Sequence, residues 1–309
     1  MDAIQRLDFV REHEKLLSII KCSDVLDKTV LAQKMKISFA TASKEMDEMK
    51  RNGLLQEDTN AINSQFFYAC GISIGGAQCK VTFVDANFTV LSRNVFENIC
   101  ERYNVFREDF WEDRSYSESD YGYVYFNTPS TEVELKLRLN DIIRNVIRLR
   151  QEAKKDDYIY CPPILSIGIA ATGSIDARKQ IIISSHNVEY LKNMSKEMLI
   201  SPDLLQKLRE ENIPLIIDHN AKALAASEKF SLYQSQNMNS EYRKKKNIAS
   251  LYLGSGIGCG IILDNTLIRG CRNLNGELGH IQAPPYPGLA NAVVSDTTCS
   301  CGAKNCLEH

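Results

Sequence analysis

The first part of the chain carries apolar side chains at three- and four-residue steps, the spacing of amphipathic helices. The apolar side of a first helix would consist of Leu16, Leu17, Ile19 and Ile20, and that of a second helix of Val30, Leu31, Ala32 and Met35. After a turn at Lys36 and Ile37, a third helix is predicted from an N-cap at Ser38 to a stop at Gly53. Its apolar face would consist of Phe39, Ala42, Met46 and Met49. The segments LLQED and QFFY then flank a polar tip, so residues 1–68 are predicted to form a winged helix-turn-helix.

The third helix has the composition of a DNA recognition helix. Such a helix needs short polar side chains near its N-terminus for base edges and basic side chains around them for phosphates. The predicted DNA contacts are Lys36, Ser38, Thr41, Lys44, Lys50 and Arg51. Asp47 and Glu48 lie farther along the helix, where their carboxylates would repel nearby phosphate. A three-helix bundle that contacts another protein is the alternative.

From Cys70 onward, strand and helix patterns alternate. The segment GISIGGAQCKVTFVD predicts a strand, a glycine turn and a strand, STEVELKLRLNDIIRNVIRLRQEAK a long helix, and IPLIIDHNAKALAASEKF a strand that runs into a helix. The strand, turn and strand pattern recurs in IASLYLGSGIGCGIILDN, which indicates a duplicated α/β fold. Residues 100–129 are acidic and aromatic without periodicity, and they are interpreted as an insertion. The RKKK run at 243–246 is either a solvated loop or a DNA contact.

Composition limits the classes of function. A length of 309 residues allows two or three domains, and a net charge of −2 excludes a basic nucleic-acid coat while leaving room for a small DNA-reading module. No apolar run is long enough to span a bilayer, and the N-terminal segment lacks the apolar core of a signal peptide, so a cytoplasmic protein without membrane contact is expected. In that compartment the ten cysteines are expected to be free thiols or metal ligands.

The two glycine turns have the shape of phosphate-binding loops. Gly75 and Gly76 stand in the first turn, which contains no acidic residue. The second turn combines the Ser255 hydroxyl with glycines whose amides can approach an anion closely. These glycines are Gly254, Gly256, Gly258 and Gly260. Tight hairpins also use glycine, so the loops alone do not decide the function.

Three carboxyl and imidazole side chains could bind a polyol. Glu277 and His280 stand three residues apart, and Asp218 follows an apolar strand, where α/β sheets present ligands. A carboxylate can accept hydrogen bonds from vicinal hydroxyls or take a proton from a sugar hydroxyl, and Asp218 is the candidate base. An N-cap for the helix that follows is an equally good interpretation of Asp218.

The cysteines near the end of the sequence have the spacing of metal ligands. Cys299, Cys301 and Cys306 lie within eight residues. With His280 they would form a tetrahedral Cys3His site of the kind that holds structural zinc. Buried thiols without metal are the alternative.

These motifs resemble the ROK family of bacterial sugar kinases and sugar-responsive repressors, which have an actin-like, hexokinase-like body. The resemblance rests on GISIGG, DHNAKALA, GSGIGCGIILDNTLIRG, GELGH and CSCGAKNCLE, together with the N-terminal winged helix of the repressors. It implies that Asp218 matches the kinase base and that the second glycine turn binds phosphate. It also implies sugar ligands at Asn187, Glu277, His280 and Glu308, and zinc at His280 with the three cysteines. The implied domains are the winged helix at 1–68, a first lobe at 69–217 and an incomplete second lobe at 218–309.

Departures from the family pattern favour a sensor over an enzyme. Ser73, Ala77 and Gln78 replace the acid, threonine and lysine of the kinase phosphate loop, and Ile217 replaces an asparagine before the base. Losing groups that help to hold magnesium would cost several kcal/mol of transition-state stabilisation. The sequence therefore predicts a sugar-responsive regulator, a repressor in the sense of the family, that binds operator DNA as a homodimer. An ATP- and magnesium-dependent sugar kinase with Asp218 as base is the alternative.

Two features of the ending stand apart from the family. The spacer between His280 and Cys299 holds eighteen residues, so the metal loop is expected to bulge outward. Family members continue past CLE, so the chain is expected to be truncated, or Glu308 belongs to an expression tag that begins LEH. A shortened DNA-binding protein that no longer senses a sugar is the third interpretation.

Overall fold

The computed structural model describes residues 1–13, 27–106, 120–234, 247–254, 256–271, 273–282, 298–299 and 301–308, with no side chains at 230–234. The predicted first helix at 16–20 lies outside these ranges. So do Ser255, the RKKK run, the centre of the predicted insertion and most of the long spacer before Cys299. In the described part of the chain, no helix is long and apolar enough to cross a bilayer.

Within its described residues, the N-terminal module has the helices α1 (Ala3–Glu12), α2 (Lys28–Met35) and α3 (Phe39–Arg51). The turn between α2 and α3 is the predicted one, with Lys36 in the left-handed conformation at a φ of 55°. Ser38 caps α3 by accepting the Thr41 amide at 3.1 Å, and Gly53 follows the helix end with a φ of 77°. Ala42, Met46 and Met49 are buried as expected.

Two details of this module differ from the sequence interpretation. Phe39 is 58% exposed, because it is the first residue of α3 and precedes the buried part of the apolar face. The wing is a short hairpin with one bridge between Leu55 and Ile62. Its second strand is not QFFY, since a 3-10 turn occupies Ser64–Phe66 and Tyr68 begins the first strand of the body.

The body begins with a five-stranded mixed sheet. Its strands are β1 (Tyr68–Ile74), β2 (Gln78–Asp85), β3 (Tyr123–Asn127), β4 (Ile164–Ala171) and β8 (Leu215–His219), in the order β3-β2-β1-β4-β8. Strands β1, β2 and β3 pair antiparallel, whereas β4 runs parallel to both β1 and β8. The sheet is flanked by α4 (Arg93–Tyr103), α5 (Glu132–Lys155), α6 (Lys196–Leu199) and α7 (Pro202–Glu210). Both ends of the predicted insertion thus belong to regular structure, as the last turn of α4 and the edge strand β3.

Among the described residues, one face of the first sheet forms the core. Residues of β1 alternate between buried and half-buried, so Cys70, Ile72 and Ile74 face the core. They belong to the same buried cluster as the apolar face of α5, which begins at the N-cap Thr131 and includes Leu139 and Val146. A small antiparallel sheet of β5 (Ser174–Asp176), β6 (Ile181–Ser184) and β7 (Met194–Ser195) follows β4.

The second glycine turn belongs to another sheet. This three-stranded antiparallel sheet consists of β9 (Ile248–Leu253), β10 (Ile257–Leu263) and β11 (Thr266–Ile268), and it packs on α8 (Asn220–Gln234). Strand β10 and helix α8 are in close contact at Gly260, where a β-carbon would lie 2.2 Å from the Ala221 carbonyl oxygen. The repeated strand, turn and strand motif is therefore confirmed as the start of a second α/β unit.

The N-terminal module and the first sheet share a buried cluster. Leu7 and Phe9 of α1 lie in it together with Phe67, just before β1, and with Ala86 and Leu165 of the body. The Arg6 guanidinium donates to the Phe66 carbonyl at 2.6 Å and lies 5.1 Å from the centre of the Phe66 ring. The N-terminal helices and the first sheet therefore pack against each other through buried side chains.

Candidate functional site

A cavity opens where the parallel strands of the first sheet end. Gly76, Thr172 and His219 follow or end β1, β4 and β8, and the carboxyl ends of parallel strands are the usual place for ligands. The second sheet and the 3-10 turn at Leu278–His280 close the other side. The full lining is Gly76, Thr172, Gly173, His186, Asn187, His219, Asn220, Tyr252, Gly256, Ile257, Gly258, Glu277, His280 and Glu308.

Most of the predicted sugar ligands meet in this cavity. Asn187, Glu277, His280 and Glu308 all line it, although they come from three distant parts of the sequence. The Asn187 amide donates to the Thr172 hydroxyl at 3.3 Å, which fixes the orientation of the amide. Two carboxylates and several neutral polar groups around one cavity are suited to a ligand with several hydroxyls.

Glu308 is held in place by the second glycine turn. One carboxylate oxygen accepts the Ile257 amide at 3.1 Å, and the other lies 3.2 Å from Nδ1 of His280. Two glycines allow the Glu308 carboxylate to come this close. A β-carbon at Gly256 would lie 2.9 Å from its Oε2 atom, and one at Gly279 would lie 2.6 Å from the same atom. Gly256 of this turn and Gly279 of the 3-10 turn therefore make room for the carboxylate.

Glu277 lies near a lysine that sequence reasoning missed. Burial raises the pKa of Glu277, and the positive charge of Lys222 opposes this rise. Lys222 is only 1% exposed and donates to the Asn273 carbonyl at 2.5 Å. The sequence did contain a signal for this lysine, because it stands among alanines at the start of α8, where a buried position is expected. A buried lysine requires a partner for its charge.

Asp218 does not lie in the cavity. Side chains alternate along β8, so Asp218 faces the side of the sheet opposite to His219. Both of its oxygens accept hydrogen bonds from the Arg269 guanidinium, at 2.7 and 2.5 Å. It does not cap α8 either, since its remaining bond is to the neighbouring His219 amide at 2.8 Å. Asp218 thus faces away from this cavity and does not cap α8, and its role as a base stays a prediction.

His219 and Asn220 occupy the position that was expected for Asp218. His219 is 8% exposed, and its Nδ1 accepts the Ala221 amide at 3.1 Å. Burial is the main cause that lowers the pKa of His219 to about 4, and the nearby charge of Lys222 adds to it. The alternation of side chains along β8 could have identified His219, since it shares one face of the strand with Leu215 and Ile217. Neither a neutral imidazole already bonded at Nδ1 nor an amide is a strong base.

The backbone amides of the glycine turns are partly engaged. Gly75 donates to the Gln78 carbonyl and Gly254 to the Gly256 carbonyl, both at 3.0 Å. The Ile257 amide donates to Glu308. Gly76, Gly256 and Gly258 line the cavity, whereas Gly75 and Gly254 do not. These turns are thus built as tight hairpins beside the cavity, and their phosphate-binding role stays a prediction.

His280, Cys299, Cys301 and Cys306 form a cluster that fits a metal ion. Their ligand atoms all lie within 4.8 Å of one another. The Cys301 and Cys306 sulfurs are 3.5 Å apart, as are the Cys299 sulfur and Nδ1 of His280. Such spacings suit four ligands around one ion of tetrahedral geometry, and three thiolates with one imidazole are a common donor set for zinc. Because Nδ1 belongs to the cluster, Nε2 of His280 is the nitrogen left for a ligand in the cavity.

The predicted DNA contacts lie on the surface of the N-terminal module. Lys36, Ser38, Thr41, Lys44 and Arg51 are exposed, and Lys50 is half-buried with a bond to the Glu57 carbonyl at 2.6 Å. A carboxylate on the same helix, Asp47, accepts from Lys28 at 3.1 Å, which lowers the pKa of Asp47 and offsets its charge.

Comparison with known proteins gives concordant matches. The sequence profile of the ROK family matches residues 127–309. A xylose repressor from Caldicellulosiruptor bescii is 26% identical over 306 residues, covering 95% of this chain and 62% of the repressor. An N-acetyl-D-glucosamine kinase from Yersinia pseudotuberculosis is 23% identical over 203 residues, covering 60% of this chain and 61% of the kinase.

One solved structure matches nearly the whole chain. A ROK family transcriptional regulator, described as a homolog of the E. coli Mlc protein, superposes over 99% of this chain and 64% of its own, with a TM-score of 0.57 and 15% identity. At this identity the likeness shows the fold, and it confirms the α/β body with N-terminal helices. The chain spans less than two thirds of the length of these relatives.

Proposed function

The chain belongs to the ROK family, and on this premise we propose that it is a sugar-responsive transcriptional regulator that acts as a repressor. The winged helix would bind operator DNA, and the cavity would bind a sugar or sugar derivative. The observation that carries the proposal is the combination, in one chain, of an exposed recognition-helix surface and a cavity with two carboxylates, joined by a shared core.

The surface of α3 supports the DNA-binding half. Ser38 and Thr41 expose hydroxyls at the helix N-terminus, and Lys44 and Arg51 expose positive charge along the helix. The exposed Phe39 ring adds an apolar group beside them, of the kind that contacts thymine methyl groups. Similarity to a xylose repressor extends over 95% of this chain and therefore includes this module.

Two observations on the cavity support the sugar-binding half. Glu277 and Glu308 can accept hydrogen bonds from vicinal hydroxyls, and Asn187 and His280 add further polar groups. For such a sugar to act as a signal, it must bind the DNA-competent and DNA-incompetent arrangements with different affinity. The chain of contacts from Thr172 along β4 to Leu165 offers a physical route between the two sites.

Similarity to an N-acetyl-D-glucosamine kinase keeps a sugar kinase as the second candidate. Three features disfavour it. Asp218 is paired with Arg269, an amide stands at Asn220 in the cavity, and Ser73 lacks the carboxylate that would help to hold magnesium. Asp218, the predicted base, faces away from the cavity and is held by Arg269, so it is not placed to take a hydroxyl proton from a ligand there.

Zinc at the His280 cluster would be structural. Four protein ligands leave no open position on a tetrahedral ion, so it would supply stability and not a reactive water. It would also fix the His280 ring at the edge of the cavity. A homodimer is proposed as well, because a two-fold regulator reads two half-sites.

Selection of DNA from a random pool by the purified protein tests the proposal. We expect an enriched sequence with two related half-sites. Lys44→Ala should weaken binding to that sequence about fivefold or more, whereas Lys192→Ala, an exposed lysine of the body, should not. Failure to enrich any sequence with folded, zinc-loaded protein would reject the regulator.

A further inference from the structure

The N-terminal module is attached to the body at two places. The wing runs into the 3-10 turn at Ser64–Phe66, and a single residue, Phe67, separates this turn from β1. Helix α1 forms the second attachment, since its buried side chains share a cluster with Leu165 of β4. The direction in which the recognition helix α3 points from the body therefore depends on how α1 is held.

Two arginines bind neighbouring points of the paired strands β1 and β4. Arg6 of α1 donates to the Phe66 carbonyl at 2.6 Å, just before β1 begins. The buried Arg150 of α5 donates to the carbonyl of Ile164, the first residue of β4, also at 2.6 Å. Tyr68 and Ile164 pair directly across the two strands. The guanidinium groups therefore approach one junction from α1 and from α5.

Tyr158 lies at the same junction. It packs against the core of the first sheet and against the cluster that the body shares with the N-terminal module. Burial raises the pKa of Tyr158, the positive charges of Arg150 and Arg6 oppose this rise, and Glu211 adds to it. Both guanidinium groups thus act on one side chain, which follows α5 and contacts the cluster of α1.

The backbone turns Tyr158 inward at a cost. Asp157 and Tyr158 have φ angles of 52° and 58°, in the left-handed region that side chains other than glycine rarely adopt. The Tyr158 amide donates to the Ala153 carbonyl at 2.9 Å, and Ile159 and Tyr160 on the other side are exposed. Such a conformation persists where surrounding contacts hold it, and here Tyr158 makes those contacts.

The attachment of α1 matters for how a two-fold protein reads DNA. Each body carries one α3 helix, so a rigid attachment fixes the distance between the two helices and the side of the duplex that each one faces. A flexible attachment would let the same pair of helices reach half-sites at several spacings. Base contacts on α3 alone do not determine this spacing.

Resting on the proposed function, we propose that Tyr158 is a positioning residue that holds α1 on the body and thereby sets the half-site spacing that the regulator accepts. It contacts no DNA itself and acts through α1 on the orientation of α3. Sequence selection would then have two sources, with base contacts from α3 and spacing from the junction at Tyr158.

Binding to DNA with altered spacing tests the consequence. Inserting about five base pairs, half a helical turn, between the half-sites of the selected sequence should weaken binding of the parent protein about tenfold or more. For Tyr158→Ala the same insertion should cost less than about threefold, while binding to a single half-site is unchanged. A purely structural role would lower stability and leave this ratio as it is.

Tyr160→Ala provides the matched control. Tyr160 stands in the same loop, is 54% exposed, and its ring lies 3.4 Å from the guanidinium carbon of Arg102, away from α1. Its removal should leave the spacing ratio of the parent.

Distances between the module and the body test the attachment without DNA. Spin labels carried by encoded azide groups at the exposed positions of Asp58 in the wing and Lys192 in the body report the distance within one chain, when labelled chains are diluted with unlabelled protein. We expect one narrow distribution for the parent and for Tyr160→Ala, and a broad one for Tyr158→Ala. If Tyr158→Ala fails to fold, the parent decides, because a broad distribution there overturns the inference.

The outcomes separate this inference from the proposed function. A parent protein that binds both spacings equally, or Tyr158→Ala that keeps the parent's spacing ratio and narrow distribution, would overturn the inference and leave the DNA-binding regulator in place. If no DNA sequence is enriched, the regulator fails, and the label distances still show whether Tyr158 holds α1 on the body.

Discussion

Arg269 donates to both carboxylate oxygens of Asp218, and this pair holds Asp218 on the sheet face opposite to His219. The two residues join β8 of the first sheet to the end of the second sheet. A carboxylate that is bound on both oxygens by a guanidinium is a structural link and is poorly placed to take a proton.

Asp218→Asn should therefore lower stability and spare ligand binding. We expect the free energy of unfolding to fall by about 1 to 2 kcal/mol, a modest value because the Arg269 side chain is 36% exposed. Asp156→Asn, which breaks the more exposed pair with Arg102, is the control and should lower the free energy of unfolding less. Urea unfolding and sugar titration measure the two effects. Loss of sugar binding at unchanged stability would return Asp218 to the site.

His219 should make stability depend on pH. Its pKa is lowered to about 4 from an ordinary value of 6.5, so between these values the unfolded chain binds a proton that the folded chain does not. Stability contributed by the neutral ring is full above about pH 7 and falls as the pH drops toward 4. His219→Gln keeps a donor and an acceptor without titrating, and it should remove up to about 3 kcal/mol of this fall.

Urea unfolding at several pH values, run on the parent and on His219→Gln, measures this difference directly. Subtracting the two curves removes the contributions of groups that both proteins share. Parallel curves between pH 7 and 4 would show that His219 is not a buried neutral ring.

Removal of a cysteine from the cluster should release zinc. We expect about one zinc ion per chain by mass spectrometry of metals, and Cys306→Ser should lose it and lower the melting temperature. Cys271→Ser, at an exposed cysteine outside the cluster, should keep the zinc ion and the melting temperature of the parent protein. Protein that is folded, metal-free and unaffected by chelator would favour the interpretation as buried thiols.

The shared core should make the N-terminal module and the first sheet unfold together. Leu165 is 2% exposed within a cluster that includes residues of α1, so Leu165→Ala should cost about 2 to 4 kcal/mol. Leu137→Ala, at a leucine that is 62% exposed, should cost less than about 0.5 kcal/mol. Fluorescence labels on the module and on the body should report one transition. Separate transitions would mean that the module does not share its core with the body.

Local patterns in the sequence predicted the elements whose stability is local. The N-cap at Ser38, the long helix α5 and both glycine hairpins follow from short-range spacing, and the structure contains each of them. The family resemblance added Asn187 and Glu308, which the cavity brings near Glu277 and His280. These residues lie far apart in the sequence, so their positions along it could not have predicted that they share a cavity.

The sequence predicts least where partners far along the chain decide the arrangement. Arg269 is 51 residues from Asp218, so no local pattern announces the pair that removes Asp218 from the cavity. Strand β3 is an edge strand whose pairing with β2 depends on contacts some 45 residues apart, and its segment lacked periodicity. The strands of the wing pair through a single bridge. They are too short for an alternation of apolar and polar residues to define the second strand.

Binding of the enriched operator sequence at increasing sugar concentration tests the central claim most directly. Fluorescence anisotropy should show that the active ligand changes the Kd for DNA about fivefold or more, and by linkage DNA should change the Kd for the ligand by the same factor. Glu277→Gln should remove the response while DNA binding persists. A Kd for DNA that is the same with and without saturating sugar would contradict a sugar-responsive regulator.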